Sequence, residues 1–276
     1  DIEGITGLTV PKDEVLTMTG MLEIGLQNHT AQIEDVCISA SKEYGLHNAM
    51  TKMEKEWETM IFDTKEYRTT GTRILAGIDE IQMLLDDQIV KTQAMRGSRF
   101  IKPFIEQITL WETTLVSMQD ILDNWLKMQS TWLYLEPIFS SDDIMRQMPT
   151  EGKMFRAVDN TWRVSMAQTF QEPSCVKVAR RPGFLASLIE ANAKLDQIQK
   201  GLNDYLETKR LAFPRFFFLS NDELLEILAE TKDPLKVQPH LKKCFDGMAK
   251  LKFEANLDIT ACFDPKGEKL DFPYER

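Results

Sequence analysis

Phe104, Trp111, Met118, Trp125 and Trp132 follow one another at intervals of seven residues, and Ile108, Leu115 and Leu122 stand four places after the first three. A repeat of that kind is satisfied by a helix with one apolar seam. At about 1.5 Å of rise per residue, the seam makes a rod of ~40 Å. Two partners for it compete. Seams of this period zip to a second chain in coiled coils, but three tryptophans and a phenylalanine are too bulky for a two-stranded zipper. Ile101, Ile105, Ile121, Leu126 and Leu133 also widen the stripe beyond two positions per heptad, as in a helix packed within its own chain. The pattern therefore favours intramolecular packing, with Pro137 ending the rod.

Helical periodicity extends through most of the remaining sequence. After Pro11, which suits a first helical turn, Leu22, Leu26, His29, Ile33, Val36 and Ala40 recur on one face. A second helix is predicted over about 45–61, carrying Leu46, Met50, Met53, Trp57 and Ile61. Residues 62–77, with Phe62, Tyr67, several threonines and a Thr70-Gly71 turn, read as a small β-hairpin. Helix resumes near Asp79 with Ile81, Leu84, Leu85 and Ile89 in phase. Pro149-Thr150 marks the start of a helix bearing Phe155, Val158, Trp162 and Met166, and a further helix covers 184–208.

Between these last two, Pro173, Pro182 and Gly183 interrupt any long helix and make 172–183 the best candidate joint. The run Phe213-Pro214-Arg215-Phe216-Phe217-Phe218-Leu219 lacks helical phase and reads as a short buried strand. The alternative is an exposed apolar docking patch. Ser220 and Glu223 are spaced as a capping box for a helix carrying Leu224, Leu225 and Leu228. Pro239 is placed to open another short helix, with Leu241, Cys244, Phe245 and Met248. The tail alternates from Leu251 to Phe263, turns at Asp264-Pro265-Lys266-Gly267 and returns through Leu270 and Phe272, a hairpin signal. The fold class is mainly α: an elongated helical bundle or rod with small β-hairpins or short strands.

Composition removes several functions. With 43% apolar residues among 276, a sizeable core is available, and a net charge of −10 argues against nucleic acid as the main partner. No apolar run approaches the ~20 residues that span a bilayer, so no membrane role is expected. The first residues, Asp1-Ile2-Glu3-Gly4, carry neither an initiator Met nor a signal-peptide pattern, which reads as a fragment of a longer chain. Cys37, Cys175, Cys244 and Cys262 form no CxxC and are expected as reduced intracellular thiols.

The chemistry of catalysis finds no assembled motif. Gly152-Lys153 and Gly267-Glu268 lack the rest of a phosphate loop. His29, His47 and His240 have no second ligand at a zinc spacing, and His29, on an apolar face, is expected in the core. Asp86-Asp87 and Asp142-Asp143 have no basic or hydroxyl partner suitably spaced, and read as helix caps or solvated faces. Fourteen methionines fit pliable core filling better than a promiscuous face. Catalytic, cofactor-binding and metal residues are accordingly expected to be none in this segment.

Three stretches carry a resemblance. Trp125-Leu126-Lys127-Met128-Gln129-Ser130-Thr131-Trp132-Leu133-Tyr134-Leu135-Glu136-Pro137 and Phe155-Arg156-Ala157-Val158-Asp159-Asn160-Thr161-Trp162 are two of them. The third and most specific is Lys209-Arg210 followed by Phe213-Pro214-Arg215-Phe216 and Ser220-Asn221-Asp222-Glu223-Leu224-Leu225. With Thr69-Thr70-Gly71-Thr72 and Leu84-Leu85-Asp86-Asp87 upstream, residues 50–276 resemble the linker region of dynein heavy chains, of an axonemal and inner-arm look.

The resemblance implies that 1–276 is a fragment of a linker domain, and the Pro173, Pro182 and Gly183 joint near 172–183 sub-divides it into 1–171 and 184–276. It implies a lever lying across the AAA+ ring of the same heavy chain, bent and straightened by ATP turnover there, and a place in the cytoskeleton of the ciliary or flagellar axoneme. The phosphate loops and the microtubule-binding stalk of such chains lie downstream. ATP and Mg are thus expected in the parent ring and not in this fragment, which by itself should neither bind nor hydrolyse ATP. Microtubules would be reached only through the parent chain, and other dynein subunits through a missing tail. A generic helical scaffold or tether is the competing reading.

Overall fold

A computed structural model describes residues 2–9, 17–229 and 233–273. Its helices are α1 (Ile2–Thr6), α2 (Met18–Glu23), α3 (Thr30–Glu58), α4 (Asp79–Arg96), α5 (Ile105–Phe139), α6 (Asp142–Gln147), α7 (Pro149–Gln171), α8 (Cys175–Ala179), α9 (Phe184–Ala212), α10 (Asn221–Ala229) and α11 (Leu241–Cys244). Strands β1 (Asp63–Tyr67) and β2 (Thr72–Ala76) form a hairpin, and β3 (Lys250–Phe253), β4 (Ile259–Phe263) and β5 (Lys269–Asp271) an antiparallel meander. This is a mainly α chain with small antiparallel β elements, as its periodicity indicates. No helix among the described residues is long and apolar enough to cross a membrane.

The chain gathers into two compact units, one of residues 1–65, 75–120 and 169–182, the other of 66–74, 121–168 and 183–276. In the first, Met50 of α3 packs with Ile101 and with Ile108 of α5, and Leu46, Met95 and Phe104 close the edge of that cluster. Trp57 is fully buried, and its indole N–H donates to Gln88 Oε1 at 2.8 Å. Gln88 in turn donates to Glu56 Oε2 at 2.7 Å, so the buried amide is bonded at both its oxygen and its nitrogen.

In the second unit the aromatic seam does what its spacing requires. Trp125 meets Phe184 of α9 edge-on at 5.0 Å, Trp132 stacks on Trp162 of α7 at 5.2 Å, and Phe139 stacks on Phe155 at 5.1 Å. Leu188, Leu195, Leu202 and Leu206 of α9 are all buried. The hairpin tip belongs to this unit: Tyr67 lies edge-on to Trp132 at 5.3 Å, and Arg163 Nη1 donates to the Thr70 carbonyl at 2.8 Å.

Several sequence expectations are corrected. The two helices read over 22–40 and 45–61 are instead α2, a break, and one long α3. Gly25 at φ 85° starts a 3-10 turn over Leu26–His29, and α3 then runs straight through Gly45, whose helical cost of about 1 kcal/mol is too small to stop it. His29 is consequently not a core residue. It ends the 3-10 turn half-buried, with Nδ1 3.0 Å from Gln32 Oε1. Pro11, assigned to a first helical turn, lies outside the described residues.

Pro137 sits inside α5, which continues to Phe139, because proline forfeits only its own N–H bond and the following amides still reach back. Pro239 lies within a 3-10 turn over Pro234–His240, leaving α11 only four residues. The short α6 between two prolines had no legible period.

Candidate functional site

Residues that could carry chemistry are dispersed. Among the described residues no group of three or more His, Cys, Asp or Glu side chains could hold a metal, and the four cysteines are unbridged. Burial pushes the Cys175 thiol up to about 12, far from a reactive thiolate. Asp87 pairs with Lys91, and Asp142 and Asp143 lie in the first turn of α6, where Asp143 meets Arg146 at 3.1 Å. Asp142 and Asp143 thus favour the positive end of α6, and Asp87 lies on an exposed face of α4. His47 stacks on Phe104, and His240 is buried with Nε2 3.4 Å from Glu226.

What the second unit does assemble is a braced aromatic surface between α9 and α10. Phe213–Leu219 is not a strand. Pro214 opens a 3-10 turn over Pro214–Phe218, closed by bonds from Phe216 N to Phe213 O at 2.9 Å and from Leu219 N to Phe216 O at 3.1 Å. A strand would have needed a ladder partner, and proline at its start withholds a donor. The 3-10 turn satisfies the same amides locally. Phe217 and Phe218 therefore stand 53% and 68% exposed, while Leu219 alone of the run is buried. Of the two sequence readings, the buried strand is overturned and the run is largely exposed.

Three clamps hold that turn. Arg210, in the last turn of α9, donates to the Leu219 carbonyl at 3.2 Å and to Asn221 Oδ1 at 2.8 Å. Arg215 donates to the Cys244 carbonyl at 2.9 Å, and its guanidinium lies 4.6 Å from the Phe245 ring centroid. The Ser220–Glu223 capping box forms as its spacing requires. Ser220 N donates to Glu223 Oε2 at 2.9 Å, and Glu223 N donates to Ser220 Oγ at 3.3 Å. Lys243 also bonds Glu223; that bond, then the Ser220 amide, holds the carboxylate down at about 2. Exposed aromatics on an immobilised backbone lose little freedom on docking. The run's composition points to a strand; the capping box is legible in its spacing, but the Arg215 clamp is not, because Cys244 lies 29 residues away.

Segment 172–183, the expected joint, contains α8 and is anchored at its start. Phe62 N donates to Pro173 O at 2.8 Å, Cys175 N to Met60 O at 3.1 Å, and Ile61 bridges Ser174. At its end Gly183 takes φ 73°, a backbone open to glycine without strain, immediately before α9.

Residues 1–275 match the family described as dynein heavy chain, N-terminal region 2. The chain is 52% identical over 270 residues to dynein axonemal heavy chain 12 of Homo sapiens, which covers 98% of this chain and 9% of the relative. It is 51% identical over 271 residues to dynein axonemal heavy chain 3 of Homo sapiens, covering 98% and 7%, and 48% identical over 259 residues to dynein axonemal heavy chain 1 of Mus musculus, covering 94% and 6%. The chain thus spans less than a tenth of the length of these relatives.

Proposed function

The chain belongs to the dynein heavy chain family, within its N-terminal region 2, and from that premise we propose that it is part of the lever of an axonemal motor, bending and straightening across the AAA+ ring of the same heavy chain. ATP turnover belongs to that ring. The work of these residues is to carry strain, and the motor's place is the axoneme of a cilium or flagellum.

The observation that carries this reading is α5. It runs 35 residues, about 50 Å of helix, with Trp111, Trp125 and Trp132 sunk into close packing along its seam. Aromatic interiors packed to crystal-like density have low compressibility and transmit force instead of absorbing it. Bending is assigned to 171–183, chiefly at its Arg180–Gly183 end. There Pro182 lacks a donor and Gly183 tolerates a change of dihedral, while the bonds at Pro173 and Cys175 stay intact. Phe217 and Phe218 are assigned as the side chains that seat this element on the ring.

Phe217→Ser together with Phe218→Ser in the full heavy chain tests the seating. Microtubule gliding should slow while ATP hydrolysis persists. Unchanged gliding would remove the docking role and leave a passive tether as the better reading.

A further inference from the structure

A cleft of about 460 Å³ opens in the second unit between the end of α5 and the helices α6 and α10. Its floor is apolar, built from Leu133, Pro137, Ile138, Ile144 and Leu225. Among the described residues that line it there is no cation. Asp222 and Glu226 stand four residues apart on α10, and Tyr134 faces them with its hydroxyl kept protonated, its pKa raised by burial and then by the charge of Asp222. Like charges at that spacing repel along a helix, at a cost of a few tenths of a kcal/mol. Glu226 Oε2 lies 3.4 Å from His240 Nε2. Asp222 has no ion-pair partner among the described residues.

An apolar floor bordered by two carboxylates and a phenol asks for one kind of occupant. It must bring a large apolar side chain and, close beside it, a cation with several N–H groups. We propose that this cleft binds a basic amphipathic segment of a partner protein, with a leucine- or phenylalanine-sized side chain on the floor and an arginine between Asp222 and Glu226. Arginine satisfies both carboxylates with its planar fork and is less strongly hydrated than lysine. The chain's net charge of −10 steers a basic segment toward it. Nothing in the lever reading requires this site, and it stands or falls separately.

A peptide-display selection against the 276-residue chain tests the proposal, with the enriched peptides then titrated by fluorescence anisotropy. The enriched sequences should place an arginine or lysine three or four positions from a large apolar residue. Asp222→Asn with Glu226→Gln should weaken them about tenfold, a loss that shrinks at high salt. Ala229→Trp, which fills the cleft without touching a charge, should abolish binding while the circular dichroism spectrum and thermal midpoint hold. The proposal is overturned if selection yields no peptide, yields acidic ones, or yields binders indifferent to both Asp222→Asn and Ala229→Trp. It is equally overturned if sedimentation shows a second copy of the chain occupying the cleft.

Discussion

Trp132 stacks on Trp162 with ring centroids 5.2 Å apart and planes inclined by 19°, while its indole N–H donates to Asp159 at 3.1 Å. The other oxygen of Asp159 takes Arg163 Nε at 2.8 Å, and Arg163 reaches on to the Thr70 carbonyl. One carboxylate thus joins the aromatic interior to the hairpin tip. Asp159→Ala should cost about 1–3 kcal/mol, the range for a hydrogen-bonded charged group, and should speed amide exchange at 66–74 selectively. Uniform exchange changes across the chain would show that no such link exists.

Trp125 tests the seam itself. It is fully buried against Phe184, so Trp125→Ala should destabilise by about 3–5 kcal/mol in denaturant titration. An unchanged midpoint, or a chain that dimerises through α5, would contradict packing within one chain.

The capping box of α10 gives a pH signature. The folded Glu223 carboxylate titrates at about 2, below its ordinary 4.5. A depressed carboxylate contributes stability in full above 4.5 and loses it as pH falls toward 2. The stability difference between the chain and Glu223→Gln should therefore be level near neutrality and close across that acid window. A difference independent of pH would mean that charge on Glu223 is irrelevant to the box.

Phe217 and Phe218 should be almost silent in the isolated chain. Being exposed, their replacement by serine should move stability by about 0.5 kcal/mol or less, as for surface changes generally. A larger loss by thermal unfolding would place them in the interior and cancel their docking role.

What the sequence discloses follows the range of the forces involved. The seam from Phe104 to Trp132, the hairpin at Thr70-Gly71 and the Ser220–Glu223 box rest on neighbours within one or two turns, so their spacing is enough to see them. Where the outcome hung on competition, the sequence is silent. The run from Phe213 to Leu219 is rich in strand formers, but no strand lies beside it and Arg215 finds Cys244 instead. His29 shares a face with Leu22 only if one helix continues through Gly25, and there the backbone turns left-handed. The apolar cleft was likewise hidden, since Leu133 and Leu225 meet only through tertiary packing.

The lever itself is tested by distance. Spin labels introduced at Leu110 of α5 and Ile189 of α9, both on exposed positions, would be placed in the full heavy chain and their separation measured with and without nucleotide. An element that bends near Arg180–Gly183 should give two separations, exchanged by ATP and its products. One unvarying separation in a motor that still hydrolyses ATP and moves microtubules would contradict it.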